Sequence, residues 1–181
     1  TVAGTVIAIG LWWSEWASRI LEPYLVVLNA LPKTALGPIF IVWIGAGTAS
    51  IIAMTVAISI IVTILNMHSA FLSTDGEKIR LLRTFGASRR QILRYLVFPA
   101  NYAALFNTLK VNVGLSWVGA IMGEFLVSKA GLGYLIVYGS QVFNMDLVMA
   151  SILILSVAAV VMYQGVLRLE KLLGNRLGVM L

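Results

Sequence analysis

The stretch TALGPIFIVWIGAGTASIIAMTVAISIIVTILNMHSAFLST, Thr34–Thr74, contains no Asp, Glu, Lys or Arg. A membrane crossing takes about 20 apolar residues, so this run is too long for one span and must turn inside the stretch. Gly45-Ala46-Gly47 supplies the turn signal. Splitting there gives one span at Ser50–Leu72 and an apolar segment upstream, Tyr24–Gly45, which carries Pro32 and Pro38 and therefore reads as a kinked or broken span.

The flanks extend the same pattern. Thr1–Trp13 is uncharged but too short to cross. The chain opens with Thr and shows no basic n-region or cleavage site, so this segment reads as the end of a span that starts further upstream. A polar link follows at Ser14–Pro23. Downstream, Asn101–Val127 and Leu147–Leu167 are spans, while Ala130–Gly139 is apolar, interrupted by glycine and short, the pattern of a re-entrant segment. The expected fold is an all-α membrane protein, a polytopic helical bundle of about five crossings, with residues 1–181 forming a single transmembrane domain.

Composition agrees. Hydrophobic residues make up 60% of the chain and charged residues 11%, against about 45–50% and about 25% in soluble domains. Mean hydropathy is +0.97. A cytosolic enzyme, a disordered tail and a disulfide scaffold are excluded, and the absence of cysteine removes thiolate chemistry. The net charge of +6 is concentrated: Asp75–Arg94 holds six basic residues against two acidic ones. Placing that loop inside also places Ser14–Pro23 and the tail after Leu167 inside by alternation. Ten of the thirteen basic residues then lie on one side, so the loop and the C-terminus are expected to be cytoplasmic in a multi-pass cell-membrane protein.

The basic loop has its own punctuation. Thr74 with Glu77 and Ser88 with Gln91 have capping-box spacing, so two short helices are expected to start there. Gly86 is the expected left-handed stop of the first and Pro99 the end of the second. Ile79, Leu82 and Phe85 share one face, with Arg80 and Arg83 on another. A hairpin over 74–99 standing out of the membrane is the result. A DNA-reading helix pair is discounted because both ends are tied to spans, and no nucleic-acid partner is expected.

Arg80-Leu81-Leu82-Arg83-Thr84-Phe85-Gly86, nine further residues, then Leu96-Val97-Phe98-Pro99 resembles the EAA loop of ABC-importer permease subunits, E-A-A-x-x-x-G-x9-I-x-L-P. Arg80 stands where that pattern has Glu, and Leu81-Leu82 where it has Ala-Ala. Leu31-Pro32, Trp117 with Glu124, and Gly131-Leu132-Gly133-Tyr134 are similar to the nitrate, sulfonate and taurine branch. The resemblance implies a type I importer bundle, with Arg80, Leu82, Arg83, Phe85, Gly86, Ala87, Ser88, Leu96 and Pro99 coupling to an ATPase, and with Trp117, Glu124, Gly131 and Gly133 at the translocation path or gate. It also implies a second permease subunit, expected to be another copy, two cytoplasmic ABC ATPases, an extracytoplasmic solute-binding protein and a small polar or anionic solute.

The chain's own chemistry is sparse. No phosphate-cradling G-x-x-x-x-G-K-[ST] occurs, so nucleotide hydrolysis is expected on a partner and no cofactor or metal on this chain. His68, the lone histidine, is expected to be packed. A membrane-embedded enzyme would need a second carboxylate near Glu124, and a proton-coupled secondary transporter would use Lys33, Lys110 and Glu124 as a relay. Lys110, Trp117 and Glu124 share a helical face. Lys110 is expected to snorkel to the inner interface, and Glu124 to find a structural partner. Gly119 and Gly123 are a close-packing pair, and Trp12, Trp13 and Trp16 read as interfacial anchors.

Overall fold

The computed structural model describes residues 1–127 and 129–177, except the side chains of residues 33, 34 and 173–177. Every regular element among them is helical. Among the described residues, three helices are long and apolar enough to cross a bilayer: α4 (Thr48–Leu72), α8 (Tyr102–Val127) and α10 (Met145–Leu177), the last through Leu172. Of the other expected crossings, α1 (Val2–Trp13) is a short apolar helix. Tyr24–Gly45 is broken, as its prolines suggested. α2 (Glu15–Ala30) stops one residue before Leu31-Pro32, a 3₁₀ turn covers Lys33–Leu36, and α3 (Gly37–Ile44) starts with Pro38 in its first turn.

Two boundaries differ from the sequence reading. The polar link Ser14–Pro23 is not a loop: Ser14 caps α2 by accepting the Ala17 N–H, and the helix runs through Pro23. Pro23 stands in the third turn, where it offers no N–H to the Arg19 carbonyl, and both residues are exposed. At the other end α10 continues past Leu167 to Leu177, so Arg168 and Lys171 are helical and not part of a free tail. Arg176 belongs to the same helix, with its side chain outside the described ones.

α4 is the central element, with α1 on one side and α8 on the other; α9 (Leu132–Gln141) and α10 pack on α8. The close α4–α8 approach rests on Gly119 and Gly123. A Cβ on Gly119 would fall 2.7 Å from the Thr55 Cα, and one on Gly123 would fall 2.9 Å from the Ile51 Cγ2. Small residues matter here because lipid gives helices no hydrophobic reason to associate, so dispersion at short range has to hold them. Polar bonds add to it: buried Asn112 of α8 donates to Thr63 of α4 at 2.7 Å and to Thr1 at 2.8 Å. His68 is buried on α4, as expected, with its Nε2 3.0 Å from the Ser18 hydroxyl of α2.

At one end of α4 the chain makes an apolar cluster from Ala8, Met67, Phe71, Ile92 and Val97. α5 (Gly76–Thr84) lies against it, and α6 (Arg89–Ile92) contributes to it. The second arm does not end at Pro99. A π-helical turn at Leu93–Val97 and α7 (Phe98–Ala100) carry the helical path past the proline to Asn101, where it kinks into α8. The wider turn accommodates a residue that has no N–H to donate.

Candidate functional site

The 74–99 hairpin is held by three local devices. At its first helix the cap is Asp75, not Thr74: the Asp75 carboxylate accepts the N–H of Glu77 at 2.9 Å and of Lys78 at 3.4 Å. These two bonds hold the Asp75 carboxyl below the usual carboxylate range. Thr74 has another use. Its hydroxyl accepts from Asn101 Nδ2 at 2.8 Å, and the same amide donates to the Val97 carbonyl, closing the base of the hairpin between its two arms.

At the tip, Gly86 has φ of 79°. Its N–H reaches the Arg83 carbonyl at 2.9 Å, and the Ala87 N–H reaches Leu82 at 3.0 Å. This is the double-bonded glycine stop known as a Schellman motif, and it needs a left-handed residue. The third device is the Ser88–Gln91 capping box, present with both reciprocal bonds at 3.3 and 2.8 Å.

The hairpin does not stand free. Ile79, Leu82, Ala87 and Leu96 pack against the apolar cluster, and Arg89 donates to the Trp12 carbonyl at the end of α1, with its guanidinium 5.4 and 5.9 Å from the Trp12 and Trp13 rings. Phe85 departs from the expected shared face: as the residue that ends α5 it leaves the helical path and is 78% exposed. Leu81 and Tyr95 are also exposed, among the exposed side chains of Arg80, Arg83, Arg90 and Arg94. Ser88 and Gly86 lie at the exposed tip, and Pro99 is half-buried at the kink. Of the anchoring tryptophans, Trp12 packs inward while Trp13 and Trp16 are exposed.

A second constellation forms at the opposite end of α8. Glu124 Oε2 accepts the Gly133 N–H at 2.7 Å, at the start of α9, whose N-cap is Gly131 with φ of 113°. A Cβ at Gly131 would lie 2.5 Å from that carboxylate oxygen, and one at Gly133 would lie 2.8 Å from Glu124 Cβ. The glycines thus make room for a carboxylate bound at a helix N-terminus, where exposed N–H groups favour negative charge. Glu124 finds its partner inside the same chain.

Trp117, two turns away, is not part of that junction. It stands between α4, α8 and α10, with its buried indole N–H unpaired among the described residues. Lys110 does not snorkel freely either. Its Nζ meets both Glu170 oxygens, at 2.7 and 2.9 Å, because α10 runs far enough to present that acid. The relay of Lys110 and Glu124 is therefore not assembled, and the side chain of Lys33 lies outside the described ones. Among the described residues no three His, Asp or Glu side chains are grouped to hold a metal.

Sequence reasoning missed Asp75, Asn101, the Arg89–Trp12 contact and the Lys110–Glu170 pair. Only Asp75 left a local signal, since Asp ranks with Ser among N-caps and sits two residues before Glu77; the others bridge residues far apart in the chain.

The family described as binding-protein-dependent transport system inner membrane component matches residues 1–179. The chain is 31% identical over 172 residues to the formylaminopyrimidine transport permease protein of Halalkalibacterium halodurans, covering 95% of this chain and 69% of that protein. It is 31% identical over 159 residues to the riboflavin transport system permease protein of Chloroflexus aurantiacus (88% and 59%). Identity to the taurine transport system permease protein of Escherichia coli is 23% over 168 residues (93% and 61%). The chain thus spans about three fifths to two thirds of the length of these relatives, which are transport permeases and not enzymes. With the helical bundle, the 74–99 hairpin and the family match in agreement over nearly the whole sequence, the chain belongs to the inner-membrane permease components of binding-protein-dependent ABC importers.

Proposed function

We propose that this chain lines the path of an ATP-driven importer for a small polar or anionic solute. It works with a second permease subunit, taken to be another copy, two cytoplasmic ABC ATPases and an extracytoplasmic solute-binding protein. The hairpin and the C-terminus face the cytoplasm, in keeping with the Lys/Arg distribution. The relatives named above carry solutes as different as a formylaminopyrimidine, riboflavin and taurine by their descriptions, so the solute class stays broad.

One observation carries the coupling role. The hairpin is firmly seated by Leu82, Ala87 and Leu96, yet it holds Phe85 in water beside Arg80, Arg83, Gly86 and Ser88. An exposed aromatic on a rigid basic turn is suited to a pocket on another protein, since aromatic anchors ringed by polar groups dominate interface energy. The seated face, with Pro99 at its kink, would pass ATPase closure on to α4 and α8. The Glu124, Gly131 and Gly133 junction, with Trp117 below it, would stiffen the outer gate. The test is co-purification with the ATPase subunit. Phe85→Ala should weaken it at least tenfold while membrane insertion persists, and an unchanged yield of complex would refute the coupling assignment. Residues 1–181 contain no cysteine, so an impermeant thiol reagent added to intact cells should label Ala130→Cys and leave Ser88→Cys unlabelled. Equal labelling would sink the orientation.

A further inference from the structure

The exposed face of the hairpin carries a charge pattern that membrane orientation alone does not require. Arg80, Arg83, Arg90 and Arg94 are all exposed, around the apolar side chains of Leu81, Phe85 and Tyr95. Little negative charge stands against them. Asp75 is taken up by its cap and by Lys78 at 3.6 Å, and Glu77, one turn before Arg80, forms no ion pair with it. Arg94 rests over the Tyr95 ring at 5.7 Å, while Arg80, Arg83 and Arg90 meet no carboxylate among the described residues.

A loop fixes its side of the membrane by the number of its cations, wherever along the loop they sit. Here they are crowded. Arg80 and Arg83 are three residues apart on α5, and Arg90 and Arg94 four apart on the second arm, spacings at which like charges repel across one helix face. Arg90 also opens its arm, where the backbone dipoles already present positive charge. Arg89 shares that end, but the Trp12 carbonyl and two indole rings hold it, and Arg90 has no such partner among the described residues. An opposing row of carboxylates would relieve this repulsion. Packing sets the direction in which such a row must lie: Ile79, Leu82, Ala87 and Leu96 are seated on the cluster at the helix ends, so the arginine face looks away from the spans.

We propose, resting on the coupling role given to the hairpin above, that the groove receiving it on the ATPase subunit is acidic, with carboxylates ringing the pocket that takes Phe85. Arg80 stands where the EAA pattern has Glu, so the charge offered at that position is the reverse of the pattern's. Guanidinium and carboxylate match as planar, two-pronged groups. Charges around an apolar anchor govern encounter and partner choice more than depth of binding. The same four arginines reject an ATPase whose groove is neutral or basic, which makes the hairpin a selector of its ATPase. Anchor and arginines then act separately: Phe85 supplies affinity that salt does not weaken, and the arginines supply affinity that salt screens.

The test measures binding of the cognate ATPase subunit to the full permease in nanodiscs of phosphatidylcholine, a lipid without net charge. Potassium chloride is set at about 0.1 M and about 1 M, between which the screening length falls from about 10 Å to about 3 Å. For the parent, Kd should rise at least tenfold with salt. Arg83→Gln/Arg90→Gln should raise Kd at least tenfold at the lower salt and leave it within about twofold of the parent's at the higher, which also shows that the hairpin is still folded. Phe85→Ala should raise Kd by a similar factor at both. If the parent is insensitive to salt, or the double variant binds like the parent at the lower salt, while Phe85→Ala still weakens binding, the arginines serve orientation or lipid headgroups alone. The acidic groove is then overturned and the coupling role stands. If the parent binds no ATPase, or Phe85→Ala binds like the parent, the coupling role itself fails and the acidic groove with it.

Discussion

Removing the Glu124 carboxylate should loosen the corner between α8 and α9. The bond to the Gly133 N–H is 2.7 Å long and sits at a helix N-terminus. Hydrogen bonds to a charged group contribute about 1.5–3 kcal/mol, a neutral one about 1 kcal/mol. Glu124→Ala should therefore cost about 2–3 kcal/mol, since it also leaves the Gly133 N–H unpaired, and Glu124→Gln about 1 kcal/mol. For a domain of this length 1 kcal/mol corresponds to about 2–4 °C in Tm. Thermal unfolding in detergent, followed by the loss of monodisperse protein, should fall by about 4–12 °C for the alanine variant and about 2–4 °C for the glutamine variant. A double-mutant cycle isolates the contact. In the parent, Gly131→Ala meets the Glu124 carboxylate at 2.5–2.7 Å as well as the strain of φ 113°; with Ala at position 124 only the strain remains. The two substitutions should thus be non-additive by at least about 1 kcal/mol. Strict additivity, or equal losses for Gln and Ala, would refute the idea that the glycines exist to admit this carboxylate.

At the hairpin tip no atom lies within 4 Å of a Cβ built on Gly86, so the cost of Gly86→Val is conformational, about 1–2 kcal/mol or more for a branched residue. It should abolish co-purification with the ATPase while Gly86→Asn, which tolerates left-handed backbone, keeps most of it; equal behaviour of the two would remove the turn from the argument. Lys110→Met strands a largely buried Glu170 and should cost about 3–5 kcal/mol in thermal unfolding, with Lys110→Met/Glu170→Leu recovering most of it. Failure of the double variant to recover would show that the pair is not what holds α8 to α10 there. Asp75 has a depressed folded pKa, so its cap is intact above the ordinary carboxylate value of about 3.9 and is lost as pH falls through the folded value. Proteolysis at α5 should be insensitive to pH between about 5 and 8 and accelerate below about 4, and Asp75→Asn should flatten that acid limb; an unchanged limb would assign it to another group.

Periodicity and charge made the long spans legible because α4, α8 and the apolar part of α10 each stay predominantly apolar over more than the thickness of a bilayer. Glycine chemistry made the hairpin tip legible, since Gly86, Ser88 and Gln91 act on neighbours in sequence. What escaped was contact across distance. Thr74 and Asn101 are 27 residues apart, Lys110 and Glu170 are 60 apart, and Arg89 and Trp12 are 77 apart. Each pair is chosen by helix packing that no local pattern encodes. Phe85 failed for a smaller reason: a face drawn at 100° per residue has no meaning once the helix has ended. Ser14–Pro23 looked like a loop because its charges break the apolar run, although charge on an exposed helical face breaks nothing.

The Arg89 bond to Trp12 changes how motion can travel. Through it the hairpin is fastened to α1 as well as to the ends of α4 and α8, three attachment points that define a plane. A plate fixed at three points cannot pivot about one of its edges; pushed from below, it carries all three helix ends with it. Bending is then left to the plate's own edge where it joins α8, the π-helical turn and kink at Leu93–Asn101, where Pro99 has already removed one rung of the backbone ladder.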